Sequence, residues 1–145
     1  MPTSGPPAAS LVFDQPTRIL VVDDDPLLTQ TARAHLSNEG AEVETAADGH
    51  AALDLLRRRE FDLAIVDIEM PGLNGFQLVA KMQADAALHH VPVIMLSVRQ
   101  DNSSIDSGYL AGIASYLTKP VDWQRLRRHV EHVIAVDRLL RSRRR

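Results

Sequence analysis

With 145 residues, 45% of them hydrophobic, and no cysteine, the chain has the size and composition of one globular domain and can form neither a disulfide nor a thiolate metal site. Its net charge of −3 divides unevenly: residues 1–121 carry 8 Lys and Arg against 16 Asp and Glu, a net of −8, whereas residues 122–145 carry 8 Arg against 3 acids, a net of +5. No apolar run approaches a membrane span, and the opening "MPTSGPPAAS" lacks the basic and apolar regions of a signal peptide, so a cytoplasmic address is expected.

Residues 1–16, rich in Pro, Ala, Ser and Gly, read as a flexible leader. "RILVV" (18–22) is the first run suited to a buried strand, and it leads straight into Asp23, Asp24, Asp25 and Pro26. Two carboxylates about 4 Å apart repel by about 4 kcal/mol at an effective dielectric of about 20. Asp25 as the cap of a helix starting at Pro26 accounts for one acid and leaves two unexplained. Helical spacing follows at Leu27, Leu28, Thr31, Ala32 and Leu36, with Gly40 placed to close that helix in left-handed backbone. A weaker strand, "AEVETA" (41–46), precedes a helix carrying Ala51, Ala52, Leu55 and Leu56.

"LAIVD" (63–67) is the third strand and ends in Asp67; "MPGLNG" then supplies turn residues, and Phe76, Leu78, Val79 and Met82 mark a helix. The fourth strand, "PVIML" (92–96), ends at Ser97. A weak helical segment, "SSIDSGYLAG" (103–112), closes at Gly112 before the fifth strand, "IASYL" (113–117), and "TKP". A last helix carries Trp123, Leu126, Val130 and Val133 and continues toward Leu140 at near-heptad spacing.

Near-continuous apolar strands alternating with helices predict an α/β fold, (βα)5, doubly wound about a parallel five-stranded sheet, with an extended C-terminal helix. Ligands of such sheets bind at the carboxyl ends of the strands. Asp23, Asp24, Asp25, Asp67, Ser97 and Lys119 all fall there, so charged and hydroxyl groups converge on one edge.

"ILVVDDDP", "FDLAIVDIEMPGLNGFQL", "VPVIMLS" and "AGIASYLTKP" together resemble the receiver domain of two-component response regulators, over about residues 17–135. The order and spacing of the motifs match as well: 44 residues from Asp23 to Asp67, 30 to Ser97 and 22 to Lys119. The resemblance implies the flavodoxin-like strand order 2-1-3-4-5. It implies that Asp67 is the phosphoacceptor for a sensor histidine kinase or phosphotransfer protein. Asp23, Asp24, Asp67 and the backbone carbonyl of Glu69 would hold Mg²⁺, a hard cation that favours oxygen ligands. Lys119 would neutralise charge on the transferring group, its peptide bond to Pro120 being cis in this family. Ser97 would be the switch hydroxyl and Tyr116 the aromatic that moves with it.

The sequence departs from the family pattern at "GIAS" (112–115), at the large Tyr109 and at Val98, which is expected to narrow access to the phosphoryl group. The histidines, including the pairs His89–His90 and His129–His132, are expected to be solvated surface residues. Two other classes stay open on sequence alone. One is a phosphatase of the haloacid dehalogenase type, whose D-x-D would be Asp23 and Asp25. The other is a phosphorylation-independent binding module, although a pI near 6.0 and the lack of interleaved aromatics argue against nucleic acid as partner. Residues 136–145 read as a basic helical extension or linker. Attached to a body of opposite net charge, this arginine-rich helix would fold back on an acidic face, pair with a second copy through Leu126, Val130, Val133 and Leu140, or serve as a link to an output domain.

Overall fold

The computed structural model describes residues 13, 15–38, 40–98 and 113–143. Its elements in chain order are β1 (Thr17–Val22), α1 (Pro26–Leu36), β2 (Ala41–Ala46), α2 (Gly49–Arg58), β3 (Leu63–Asp67), α3 (Gly75–Ala84), β4 (Val93–Ser97), β5 (Ile113–Thr118) and α4 (Trp123–Arg143). The helix expected over 103–112, its closing Gly112, and Tyr109 lie outside the described residues.

The strands form one parallel sheet in the order β2-β1-β3-β4-β5, the expected flavodoxin-like arrangement. Its three central strands are buried on both faces because successive side chains point to opposite sides. Leu20 and Val22 of β1, Ala64 and Val66 of β3, and Val93 and Met95 of β4 join α2 and α3 in one core cluster. Ile19, Val21, Leu63, Ile65, Ile94 and Leu96 join α1 and α4 in the other. Each fully buried Leu, Ile or Val contributes about 1.5–3 kcal/mol relative to exposure, so this double core dominates the folding free energy.

Local chemistry sets the helix starts. Asp25 accepts the Leu27 N–H at 3.0 Å with Pro26 opening the helix, and Asp48 accepts the Ala51 N–H at 2.8 Å. Asn74 and Gln77 form a reciprocal capping box at the start of α3. Gly40 does not close α1. That helix ends at Leu36, with Ser37 in extended backbone, and Asn38 and Ala41 pair their backbones across the turn into β2. Because the link is made by this short bridge, no left-handed glycine terminates the helix.

Two glycines shape the loop after β3. Gly72 sits at φ +73°, and a Cβ on Gly75 would come within 2.6 Å of the Asp67 carbonyl oxygen, so α3 starts hard against the end of β3.

The last helix folds back along the body. Leu126, Val130, Val133 and Ile134 are buried against the sheet, so three of the four residues expected to pair with a second copy are spent in the protein's own core. Val136, Leu139 and Leu140 remain exposed. Arg138 reaches from the far end of α4 to the Pro16 carbonyl (3.2 Å), Thr17 Oγ1 (2.8 Å) and Asp62 (3.6 Å), and lies over the Phe13 ring. Phe13, Gln15 and Pro16, read from sequence as leader, thus contact the body, and α4 runs unbroken past residue 135. Between α1 and α4, His35 stacks on Trp123 and accepts from the buried Arg127. No helix among the described residues is long and apolar enough to cross a membrane.

Candidate functional site

Three strand ends build the site. β1 delivers Asp23 and Asp24 at its turn into α1, β3 ends in Asp67, and β4 ends in Ser97. Carboxylate oxygens of Asp23, Asp24 and Asp67 lie within 4.8 Å of one another, the one such group of potential metal ligands among the described residues. Asp23 and Asp67 are 2% and 3% exposed, and Asp24 faces solvent.

Lys119 comes from the turn after β5, through a cis peptide bond to Pro120, and inserts its ammonium between the two buried acids. Nζ donates to Asp23 Oδ2 at 2.8 Å and stands 3.3 Å from Asp67 Oδ1. Backbone donors hold the carboxylates in place: the Asp25 N–H bonds Asp23 Oδ1 at 2.9 Å and the Glu69 N–H bonds Asp67 Oδ1 at 3.3 Å. The Lys119 N–H to Ser97 carbonyl bond, 2.8 Å, ties the lysine turn to the end of β4.

One cation does not balance this cluster. Burial, followed by the charge of Asp23, raises the Asp67 pKa to about 6 despite the opposing pull of Lys119. Burial alone would lower the pKa of Lys119, but the hydrogen bond to Asp23 and the charge of Asp67 outweigh it and hold it above the ordinary lysine value. The site is therefore acid-rich and electrostatically frustrated, a condition that a further positive charge relieves.

Asp25 takes no part in the cluster. Its carboxylate caps α1 and its side chain is exposed, so Asp23 and Asp25 do not form a phosphatase D-x-D pair. Ser97 is buried at the edge of the cluster, and its Oγ donates to Glu69 Oε1 at 3.2 Å. Val98 beside it is 59% exposed. Tyr116 is half-buried one strand further out, opposite Met95 in β5 and packed against the core on the α2–α3 side. The histidines form no metal-ligand cluster among the described residues; His129 bonds Ser115 at 2.7 Å, and His89 and His90 meet edge to face. From sequence, the anionic side chain of Glu69, two residues beyond Asp67, and the bulky Val98 stand where receivers tune the lifetime of the phosphoryl group; the contact of that side chain with Ser97 carried no sequence signal.

Residues 19–131 match the response regulator receiver domain family. The heme response regulator HssR of Staphylococcus epidermidis is 38% identical over 115 residues, which is 79% of this chain and 50% of HssR, so the chain spans about half the length of the curated relatives it matches. Among solved structures, the chemotaxis protein CheY4 of Vibrio cholerae superposes with a TM-score of 0.76 at 30% identity, covering 81% of this chain and 98% of CheY4. The signal receiver domain of an HD domain-containing protein from Pseudomonas fluorescens gives 0.78 at 28% identity, over 86% of this chain and 98% of that domain.

Proposed function

The chain belongs to the response regulator receiver domain family, and on that premise we propose that Asp67 accepts a phosphoryl group from a histidine kinase or phosphotransfer protein and that the domain switches conformation in consequence. A carboxylate oxygen of Asp67 attacks phosphorus, the P–N bond of the phosphohistidine breaks, and the imidazole leaves with the bonding electron pair. The product is an acyl phosphate on Asp67. Lys119, already against Asp67, draws negative charge from the transferring oxygens, and electrostatic stabilisation of this kind supplies most of the catalysis in phosphoryl transfer.

The donor set fits Mg²⁺. Three carboxylates offer only hard oxygen atoms, and burial together with the charge of Asp23 raises the Asp67 pKa. Asp23, Asp24, Asp67 and the Glu69 carbonyl would hold the ion, which supplies charge neutralisation at the transferring group when bound. Ser97 and Tyr116 carry the switch, one at the edge of the acid cluster and the other in the next strand. Residues 17–135 form the receiver and 136–145 an extension toward an output domain or partner, in a cytoplasmic protein that promotes its own phosphorylation and dephosphorylation rather than acting as a dedicated enzyme.

The observation that carries this reading is the insertion of Lys119 between two buried aspartates beside a third. Incubation with acetyl phosphate and Mg²⁺, followed by mass spectrometry, tests it. A single added phosphoryl group on Asp67 is expected, dependent on Mg²⁺ and absent from Asp67→Asn. Labelling that persists in that variant would overturn the assignment.

A further inference from the structure

Glu69 enters the proposed cation site through its backbone carbonyl, yet its side chain also touches the switch hydroxyl. The Ser97 hydroxyl, 4% exposed at the end of β4, donates to Glu69 Oε1 at 3.2 Å across a sequence separation of 28 residues. A serine hydroxyl has one hydrogen to give. It cannot donate to the Glu69 carboxylate and to a phosphoryl oxygen on Asp67 at the same time.

We propose that Glu69 is a positioning residue that holds the Ser97 hydroxyl away from the acceptor in the resting protein, so that phosphorylation of Asp67 must take this hydrogen bond from it. The inference rests on the reading of Asp67 as phosphoacceptor. The surroundings make the contact a two-state latch. The Glu69 N–H bonds Asp67 Oδ1 at 3.3 Å, so a phosphoryl group on Asp67 brings new negative charge close to the Glu69 carboxylate. Repulsion drives that carboxylate outward while a strongly anionic acceptor draws the Ser97 hydroxyl inward. Glu69 is already exposed in the β3–α3 loop, so its displacement changes the outer surface of the protein beside the site. In the resting state the hydroxyl-competent arrangement is a minority, which reduces the apparent readiness of the site by the fraction withheld.

Two substitutions separate the latch from the charge. Glu69→Gln removes the charge and keeps a carbonyl oxygen that can accept from Ser97, whereas Glu69→Ala removes both. The initial rate of Asp67 phosphorylation from acetyl phosphate is measured for wild type, Glu69→Ala and Glu69→Gln, and for both substitutions in a Ser97→Ala background. Glu69→Ala is expected to react about fivefold faster than Glu69→Gln when Ser97 is present, the size of one hydrogen bond to a side-chain acceptor, and at the same rate when it is absent. An equal ratio in the two backgrounds overturns the latch. In the unphosphorylated protein the Ser97 ¹³Cβ resonance should shift in Glu69→Ala and much less in Glu69→Gln, with unchanged thermal unfolding in both. An unshifted resonance in Glu69→Ala overturns the latch while Asp67 labelling continues, whereas loss of labelling in wild type overturns the phosphoacceptor reading beneath it.

Discussion

The two ends of the sheet handle charge in opposite ways. At the carboxyl ends of the strands, Asp23 and Asp67 are buried side by side with Asp24 adjacent and Lys119 as their common cation. Toward the amino ends, acids and bases from different elements are interleaved: Arg18 with Glu42 and Glu44, Arg59 with the same two acids, and Arg138 with Asp62. The first arrangement raises the Asp67 pKa to about 6. Burial explains the difference, because exposed pairs are screened and contribute about 0–1 kcal/mol each, whereas like charges out of water repel strongly. One end keeps an excess of buried negative charge, and the other pairs its charges and closes the fold.

The largest expected effect tests whether the acid-rich end is completed by a cation. Asp24→Ala should weaken Mg²⁺ binding at least as much as the 10- to 100-fold that loss of an outer-shell partner typically causes, while the domain stays folded, because Asp24 is exposed and outside the core. Isothermal calorimetry reads this directly. Equal affinity in variant and parent would remove Asp24 from the site.

The next effect measures the frustration itself, in protein stripped of divalent cations. The Asp67 pKa is raised in the folded state from 3.8 to about 6, so between those values the folded protein binds more protons than the unfolded chain. Stability contributed by this group therefore falls as pH rises through that window. The displacement corresponds to at most about 3 kcal/mol, and Asp67→Asn also gives up an ion-pair partner for Lys119. Asp67→Asn should accordingly be about 1–2 kcal/mol more stable than the parent at pH 7 and lose that advantage by pH 4. Denaturant melts at several pH values check it; a variant less stable at pH 7 would show that the cluster is not frustrated.

These contrasts bear on what could be read in the sequence. The strands "AEVETA" and "LAIVD" coincide with β2 and β3, and the others differ by one residue at one or both ends, because apolar runs bounded by turn residues leave little choice of register. The positions of Asp23, Asp24, Asp67, Ser97 and Lys119 were legible for the same reason: Asp67 and Ser97 end strands, Asp23 and Lys119 directly follow them, and Asp24 is one residue further on. The amino-terminal end was not. Arg138 meets Asp62 and Thr17 across 76 and 121 residues, and nothing in its local pattern distinguishes it from its neighbouring arginines. Leu126, Val130 and Val133 have the spacing of a pairing seam and of a core stripe alike, and only the position of the sheet decides between them.

Arg138 offers the contrasting test at the complementary end. Arg138→Ala removes a partly sheltered hydrogen bond to Thr17, an exposed one to the Pro16 carbonyl, the Asp62 ion pair and the contact over Phe13. It should cost about 1–2 kcal/mol and loosen the last turns of α4, visible as faster amide exchange there. Arg58→Ala, which breaks the exposed pair with Asp54, should cost less than about 0.5 kcal/mol. Equal losses in the two variants would mean that Arg138 is one more surface charge and that the two ends of the sheet differ less than their geometry indicates.

The smallest effect concerns what the exposed side of α4 can do. With Leu126, Val130 and Val133 committed to the core, self-association through this helix is left with Val136, Leu139 and Leu140. Three side chains fall well short of the roughly 800 Å² per partner that a stable specific interface buries, and the arginines among them repel a second copy laid alongside. The protein should therefore sediment as a monomer at about 10 µM, with weak dimerisation only at higher concentration. Because α4 packs on the sheet beside β5, and β5 carries Tyr116 next to the strand that ends in Ser97, a phosphoryl mimic at Asp67 should shift that weak equilibrium by a small factor rather than create a tight dimer. Replacing Leu139 and Leu140 by Ser together should abolish the residual association without unfolding the domain, since neither is in the core. A tight dimer that survives this double substitution would place the contact elsewhere on the molecule and leave the end of α4 with only its tether through Arg138.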